Sequence, residues 1–393
     1  TPIQYPAEEQ TVEWKTTHFA FKEIHDEVLK LDILGHLDPM ALKMLKDLTG
    51  VEIESIPMND PEVLELFTSL KSLNVSEYDV NNVIGTSGIP EFGTNFVKGV
   101  LIDAHPTKFS DLVQISGLTH GNGVWLDNAR DLIINKTCTL NEVIGCRDDI
   151  MSDLIRFGVP SSDAFKIMEF VRRGNPKKES AKWKTFVDIM NKYDVPQWYI
   201  ESCYQIEYMF PKAHAVAYVV MALRVAWFKI HYPLEYYCAF FSVRCDKFDI
   251  ETMLGGKQTI MNKIKELQSE VKSKNGDASM TLYDLMDTLE LALEMTARGY
   301  KFGNVDIEKS DAVNFILDKE NNTLIPPFIV LDGLGENVGR NIIEQRNIQP
   351  FTSKEDFRNR GKVNQTVFAK MEELGCLDGL SNGEQLTFDF GDF

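Results

Sequence analysis

The stretch from Ala213 to Ile230 is apolar almost throughout, broken mainly by His214, Arg224 and Lys229. A helix that is apolar on every side belongs in a large helical core or in a bilayer. Three ionisable residues inside the run favour the core, because each would be costly in hydrocarbon. No membrane partner is expected. Pro211 suits the first turn of this helix, which puts Lys212 and His214 at its N-terminus. Unpaired N–H groups and the macrodipole favour an anion there. A lysine at that end is either simply solvated or has an anion docked beside it.

At 393 residues the chain should form two or three domains, and an apolar fraction of 44% is enough for real cores. The net charge of −18 repels nucleic acid at long range and argues against a basic coat protein. Charge must therefore be read by segment. Between Met151 and Lys184, eight cations face four anions. Arg172, Arg173, Lys177 and Lys178 cluster around Gly174 and Pro176, as either a solvated helix face or a phosphate-contacting loop. The six cysteines form no C-x-x-C pair, and no histidine stands at zinc-ligand spacing beside them. That is the usage of a reduced, cytoplasmic chain. No signal-peptide pattern opens the sequence, and its first residue, Thr1, points to a fragment or a processed chain.

Near the N-terminus, Thr16 to Phe21 and Val28 to Gly35 have the composition of two strands of one sheet. Alternation puts Lys30, Asp32 and Leu34 on one face of the second. A carboxylate buried there needs a cation, hydrogen bonds or a metal, so Asp32 is either paired, for example with Lys30, or a ligand. Asp38-Pro39 starts a helix that stops at Gly50. From 51 to about 250 the pattern is mostly helical. It is punctuated by the rigid loop Gly85 to Thr94, a short helix over Phe109 to Leu118, and the turn His120-Gly121-Asn122-Gly123.

Residues 251–300 read as connecting helices and Ile325 to Phe328 as a linker. Ile329 to Val338 fits a helix-hairpin-helix turn. Gly333 and Gly335 would let the backbone approach a phosphate, and the next helix, with Asn337, would supply N–H donors. Such an element grips duplex backbone without reading sequence. A second, degenerate helix pair follows to Leu377. The acidic tail from Ser381 to Phe393 carries Gln385, Leu386, Phe388 and Phe390. It is either a frayed end or a segment that docks in a partner pocket.

Five stretches together resemble the C-terminal part of the PolC-type α subunit of the Gram-positive replicative DNA polymerase III. They are Trp14-Lys15-Thr16-Thr17-His18-Phe19, Leu29-Lys30-Leu31-Asp32-Ile33-Leu34-Gly35-His36, Pro90-Glu91-Phe92-Gly93-Thr94-Asn95-Phe96, Val113-Gln114-Ile115-Ser116-Gly117-Leu118-Thr119-His120-Gly121 and Phe210-Pro211-Lys212-Ala213-His214-Ala215. The hairpin element and the Gln385 tail follow in the family's order. The related DnaE type usually continues into an oligonucleotide-binding barrel after the hairpin unit, which favours PolC here.

The resemblance implies a DNA-directed DNA polymerase that joins dNTPs to a primer 3′-hydroxyl and releases pyrophosphate. It also implies a palm in which three aspartates hold two Mg²⁺ ions. Asp32 matches the third aspartate, and nothing before residue 27 matches the other two. The chain is then expected to lack part of the metal site and to be inactive alone. Lys212, His214, Arg156 and Arg172 or Arg173 become candidates for the triphosphate, and Ser116, Gly117, His120 and Phe210 for the nucleotide pocket. Gly333, Gly335, Asn337, Lys177 and Lys178 become candidates for DNA. Gln385, Leu386, Phe388 and Phe390 would bind the sliding clamp, although Phe388-Asp389-Phe390 departs from the commoner Gln-Leu-x-Leu-Phe form. Partners would be primer-template DNA, dNTPs, the clamp, and the clamp loader and other replisome subunits.

The expected fold is predominantly α with a small β palm remnant, an α+β multidomain chain. Residues 1–50 would be palm, 51–250 fingers, 251–325 a connecting helical region, 326–380 the helix-hairpin-helix unit and 381–393 a disordered tail. One alternative is a non-catalytic DNA-binding and clamp-interacting module, which has no need for a carboxylate in a buried strand. A repair nuclease would need carboxylates clustered near Asp32, and Asp26, Glu27 and Asp38 lie off that strand.

Overall fold

A computed structural model describes residues 3–6, 11–24, 26–29, 35–245, 247–273 and 279–382. The chain divides into two compact units, Thr1–Leu37 and Asp38–Phe393. In the first unit, Gln4 and Thr16 exchange two backbone hydrogen bonds of 2.8 Å in an isolated antiparallel bridge. Phe21–Ile24 is a single helical turn. The strand read over Thr16 to Phe21 is therefore not formed, because beyond Thr16 the described residues supply no ladder partner. Residues 30–34, and with them Asp32, lie outside the described residues.

The second unit opens with the helix Asp38–Thr49. Gly50 ends it at φ +73°, a conformation glycine adopts without a side-chain clash, and its N–H reaches the Lys46 carbonyl at 2.8 Å. The central helix, Lys212–His231, is the one described helix long and apolar enough to cross a membrane. It packs against Phe109–His120 and Pro233–Val243, and Val219, Ala222, Ala226 and Phe228 are completely buried.

Lys229 lies inside that core. Its ammonium donates to the Gly85 and Ser87 carbonyls at 2.8 and 2.7 Å and to Glu294 at 2.8 Å. Tyr237 donates to the other Glu294 oxygen at 2.7 Å, and Arg298 caps the Lys229 carbonyl at 3.0 Å. A buried charge is tolerable when every donor has a partner. This one ties the Gly85 to Thr94 loop to both the central helix and the helix Met280–Ala297. Lys98 adds a second tie, to Ser87 at 3.0 Å and Glu290 at 3.3 Å.

The described residues are predominantly helical, with one three-stranded sheet. Thr323–Ile325 lies between Lys301–Phe302, which is parallel to it, and Ile316–Asp318, which is antiparallel. This sheet leads into a second core around Leu331, Leu334, Ile342, Phe357, Val367 and Met371. The helices Glu336–Ile348, Lys354–Gly361 and Gln365–Glu373 enclose it, and Ile250, Val305 and Ile307 join it from earlier in the chain. The tail residues Gln385, Leu386, Phe388 and Phe390 lie outside the described residues.

Candidate functional site

The last turn of Phe109–His120 approaches the strip 205–210 that precedes the central helix. Two turns hold that strip. Asn122 donates its N–H to the Tyr208 carbonyl at 2.9 Å and accepts from Glu207 at 2.9 Å. On the other side, Met209 donates to the Arg172 carbonyl at 3.3 Å. Gly123 and Gly174 both have positive φ, and a Cβ at either would meet a carbonyl oxygen of the strip at 2.4 or 2.6 Å. These glycines permit the close approach.

Phe210 emerges from the strip half-buried, with its carbonyl accepting from Arg147 at 3.1 Å. Its ring stacks on His120, with centroids 4.6 Å apart, and on Tyr218 at 6.0 Å. His214 meets it edge-on at 5.9 Å. The His120 Nδ1 lies 2.7 Å from the Ser116 carbonyl and Nε2 lies 2.9 Å from Glu91. Ser116, His120, Phe210 and His214 are thus brought together, with Glu91 and Tyr218 added.

Ser116 is 1% exposed, and its hydroxyl has no hydrogen-bond partner among the described residues. Gly117 serves packing: a Cβ there would lie 2.5 Å from the Gly145 oxygen and the Cys146 sulfur. Helix and loop could not both keep their places.

Lys212 and His214 do not converge. Lys212 and Val216 face a cavity of about 410 Å³ that is also lined by Gln114, Asp149, Asp153 and Arg156. His214 and Tyr218 face the aromatic cluster instead. The anion beside Lys212 is internal. Its ammonium pairs with Asp149, and its N–H donates to Asp148 at 2.8 Å. Burial works against the Lys212 charge, but the Asp149 hydrogen bond and field outweigh it and hold the pKa above the ordinary lysine value.

The other candidate cations have local partners too. Arg156 pairs with Asp153 at 2.9 Å. Glu169 receives Arg172 at 2.5 and 2.8 Å and Arg173 at 2.7 Å. Lys177 reaches the Gln205 carbonyl at 3.2 Å, and Lys178 the Arg173 carbonyl at 3.3 Å. Further along, Gly333 adopts φ +87° and Gly335 caps the helix Glu336–Ile348, so Gly333, Gly335 and Asn337 are exposed around one helix start. The described residues contain no group of three or more His, Cys, Asp or Glu able to hold a metal ion. Burial pushes the Cys146 and Cys238 thiols up to about 12, which leaves them unreactive.

Two family models match this chain. A bacterial DNA polymerase III alpha subunit finger domain covers residues 36–194, and a helix-hairpin-helix motif covers 299–386. A PolC-type DNA polymerase III of Bacillus subtilis is 51% identical over 387 residues, 98% of the chain. Its counterpart in Streptococcus mutans is 48% identical over 394 residues, 100% of the chain. The chain belongs to the PolC-type DNA polymerase III family. It spans 26% of the Bacillus subtilis relative and 27% of the Streptococcus mutans one. Within this PolC-type chain, Glu91, Ser116 and His120 fall inside the finger match, and Phe210, His214 and Tyr218 lie beyond it. The aromatic cluster is built across that limit.

Glu91 and Tyr218 carry no mark in composition. The i, i+4 spacing of His214 and Tyr218 does show that they share a helix face. Asp149 is the third helical residue of a capping box on Arg147–Arg156, but the N-cap there is Cys146 rather than the Ser or Thr that marks such a box in sequence.

Proposed function

We propose that this chain carries the nucleotide- and duplex-handling portion of a replicative DNA polymerase. The convergence of His120, Phe210 and His214 on one half-buried, partly open face, with Ser116 buried behind it, supports this reading. Flat rings there can pack against a nucleobase. In this proposal the incoming dNTP sits on that face. Lys212 and Arg156 meet its phosphates from the neighbouring cavity once Asp149 and Asp153 give them up. Arg172 and Arg173 are reserve phosphate contacts.

Gly333, Gly335 and Asn337 grip the primer-template duplex through its backbone, with Lys177 and Lys178 as further DNA contacts. Asp32 is the Mg²⁺ ligand, and the segment around Gln385 and Phe388 binds the sliding clamp. The proposed setting is the replisome in the cytoplasm.

The test is steady-state dNTP incorporation by a whole PolC-type polymerase carrying this segment. Lys212→Ala is expected to raise KM for dNTP by roughly tenfold, the scale of one charge-assisted hydrogen bond, with KM for primer-template little changed. The reverse pattern would move Lys212 to DNA contact. Asp32→Asn should abolish incorporation, and retained activity would remove its metal role. Deleting residues 385–393 should weaken clamp binding while distributive synthesis persists; unchanged clamp affinity would refute the tail's assignment.

A further inference from the structure

His120 has an acceptor at each ring nitrogen. The Ser116 carbonyl lies 2.7 Å from Nδ1 and a Glu91 carboxylate oxygen 2.9 Å from Nε2. With Glu91 ionised neither oxygen can donate, so both contacts are then hydrogen bonds only if both nitrogens carry a proton. The ring also ends its helix, where the macrodipole favours a cation.

Glu91 reaches it from an unusual backbone. It holds φ +66°, a left-handed conformation disfavoured for a side chain of its size. The turn around it is tight: a Cβ on Gly93 would lie 3.2–3.3 Å from the Ile89 oxygen, the Gly88 nitrogen and the Thr86 oxygen. Phe92, completely buried and edge-on to Phe67 at 5.1 Å, anchors the turn. Backbone strain that the surroundings enforce is a reason to ask what the side chain does.

We propose that Glu91 is a positioning residue for the nucleotide site, locking His120 as a doubly protonated ring flat against Phe210. The inference rests on the nucleotide reading of the aromatic cluster. Fixing the His120 plane fixes the face that Phe210 and Tyr218 present, and a preset surface binds without the cost of ordering it. The Thr119 hydroxyl lies 3.5 Å from His120 Nδ1. Tyr218 stacks at 5.9 Å from His120, and His214 lies across Phe210. Beyond Glu91 is a cavity of about 180 Å³ also lined by Lys98, Arg244, Asp284, Asp287 and Glu290. The hydrogen bond from His120 to Glu91 raises the imidazole pKa, burial opposes it, and the Ser116 carbonyl and the Glu91 charge add to the rise.

The test pairs nitrogen-15 histidine NMR of the full 393-residue chain with dNTP kinetics of a whole PolC-type polymerase carrying the same substitutions. His120 should titrate above the ordinary histidine range and fall back toward it in Glu91→Gln. The variant's KM for dNTP should rise roughly tenfold at neutral pH, with kcat little changed. It should recover at a pH low enough to protonate His120 again, which a purely structural loss would not do. Glu91→Gly removes the carboxylate while relieving the left-handed backbone, so it should lose affinity without losing stability. A His120 that titrates alike in wild type and Glu91→Gln overturns the inference, as does a KM rise that acid does not reverse. An altered His120 titration with KM unchanged in Glu91→Gln alone also overturns it. If KM is unchanged in Phe210→Ala as well, the nucleotide reading itself fails.

Discussion

Lys229 shows what one buried charge demands. Burial pulls its pKa from 10.5 down to about 8, with the Glu294 field and hydrogen bond resisting. An unfolded lysine keeps its proton to higher pH, so between about 8 and 10 this one group binds more protons in the unfolded chain. Lys229's own contribution to stability therefore rises with pH across that window, while the buried thiols of Cys146 and Cys238, which ionise first in the unfolded chain, pull the total the other way. Lys229→Met should lose this slope. It should also cost about 3–5 kcal/mol, because Glu294 is left buried without its cation. Urea unfolding midpoints of wild type and Lys229→Met from pH 7.5 to 10, roughly the window between these pKa values, would check both; a stability difference between the two that stays constant with pH would assign the slope to another group. The sequence marked Lys229 as an oddity in an apolar helix, but its partners are 65 and more than 140 residues away. No local pattern carries pairings of that range. The same holds for Glu91, which meets His120 across 29 residues.

At the scale of the element, the central helix was legible in sequence and its company was not. The apolar run and Pro211 together announced a buried helix from about residue 212, and Lys212–His231 is that helix. For the lysine at its N-terminus the sequence leaves two readings, a solvated side chain or one with an anion docked beside it. The anion it meets is Asp149, and Asp148 caps the helix through the Lys212 N–H. A helix N-terminus states what charge it wants and leaves open who supplies it. Asp148→Ala should therefore fray the first turn at a cost of about 1 kcal/mol. Hydrogen exchange should quicken at residues 212–215 and stay slow at 219–226, whereas uniform quickening would mean that Asp148 supports more than the cap. The misread strand at Thr16 to Phe21 failed for a related reason: a strand exists only where another chain segment pairs with it.

At the scale of the molecule, the helical character and the hairpin region were visible as periodicity and glycine placement. The small sheet at Lys301 to Ile325 was not, because its strands are two or three residues long. The tie from Lys229 to Gly85 and Ser87 has a bearing on ancestry. The finger-domain match runs over residues 36–194, yet the ammonium that quiets those two carbonyls and the central helix that packs on Phe109–His120 lie outside it. A stretch that descends together need not stand alone. An excised 36–194 peptide should behave as a molten globule, binding a hydrophobic dye and losing near-ultraviolet dichroism while keeping its helices. Extending it through Arg298 should restore a cooperative melt, and a sharply melting 36–194 peptide would make heredity and autonomy coincide after all.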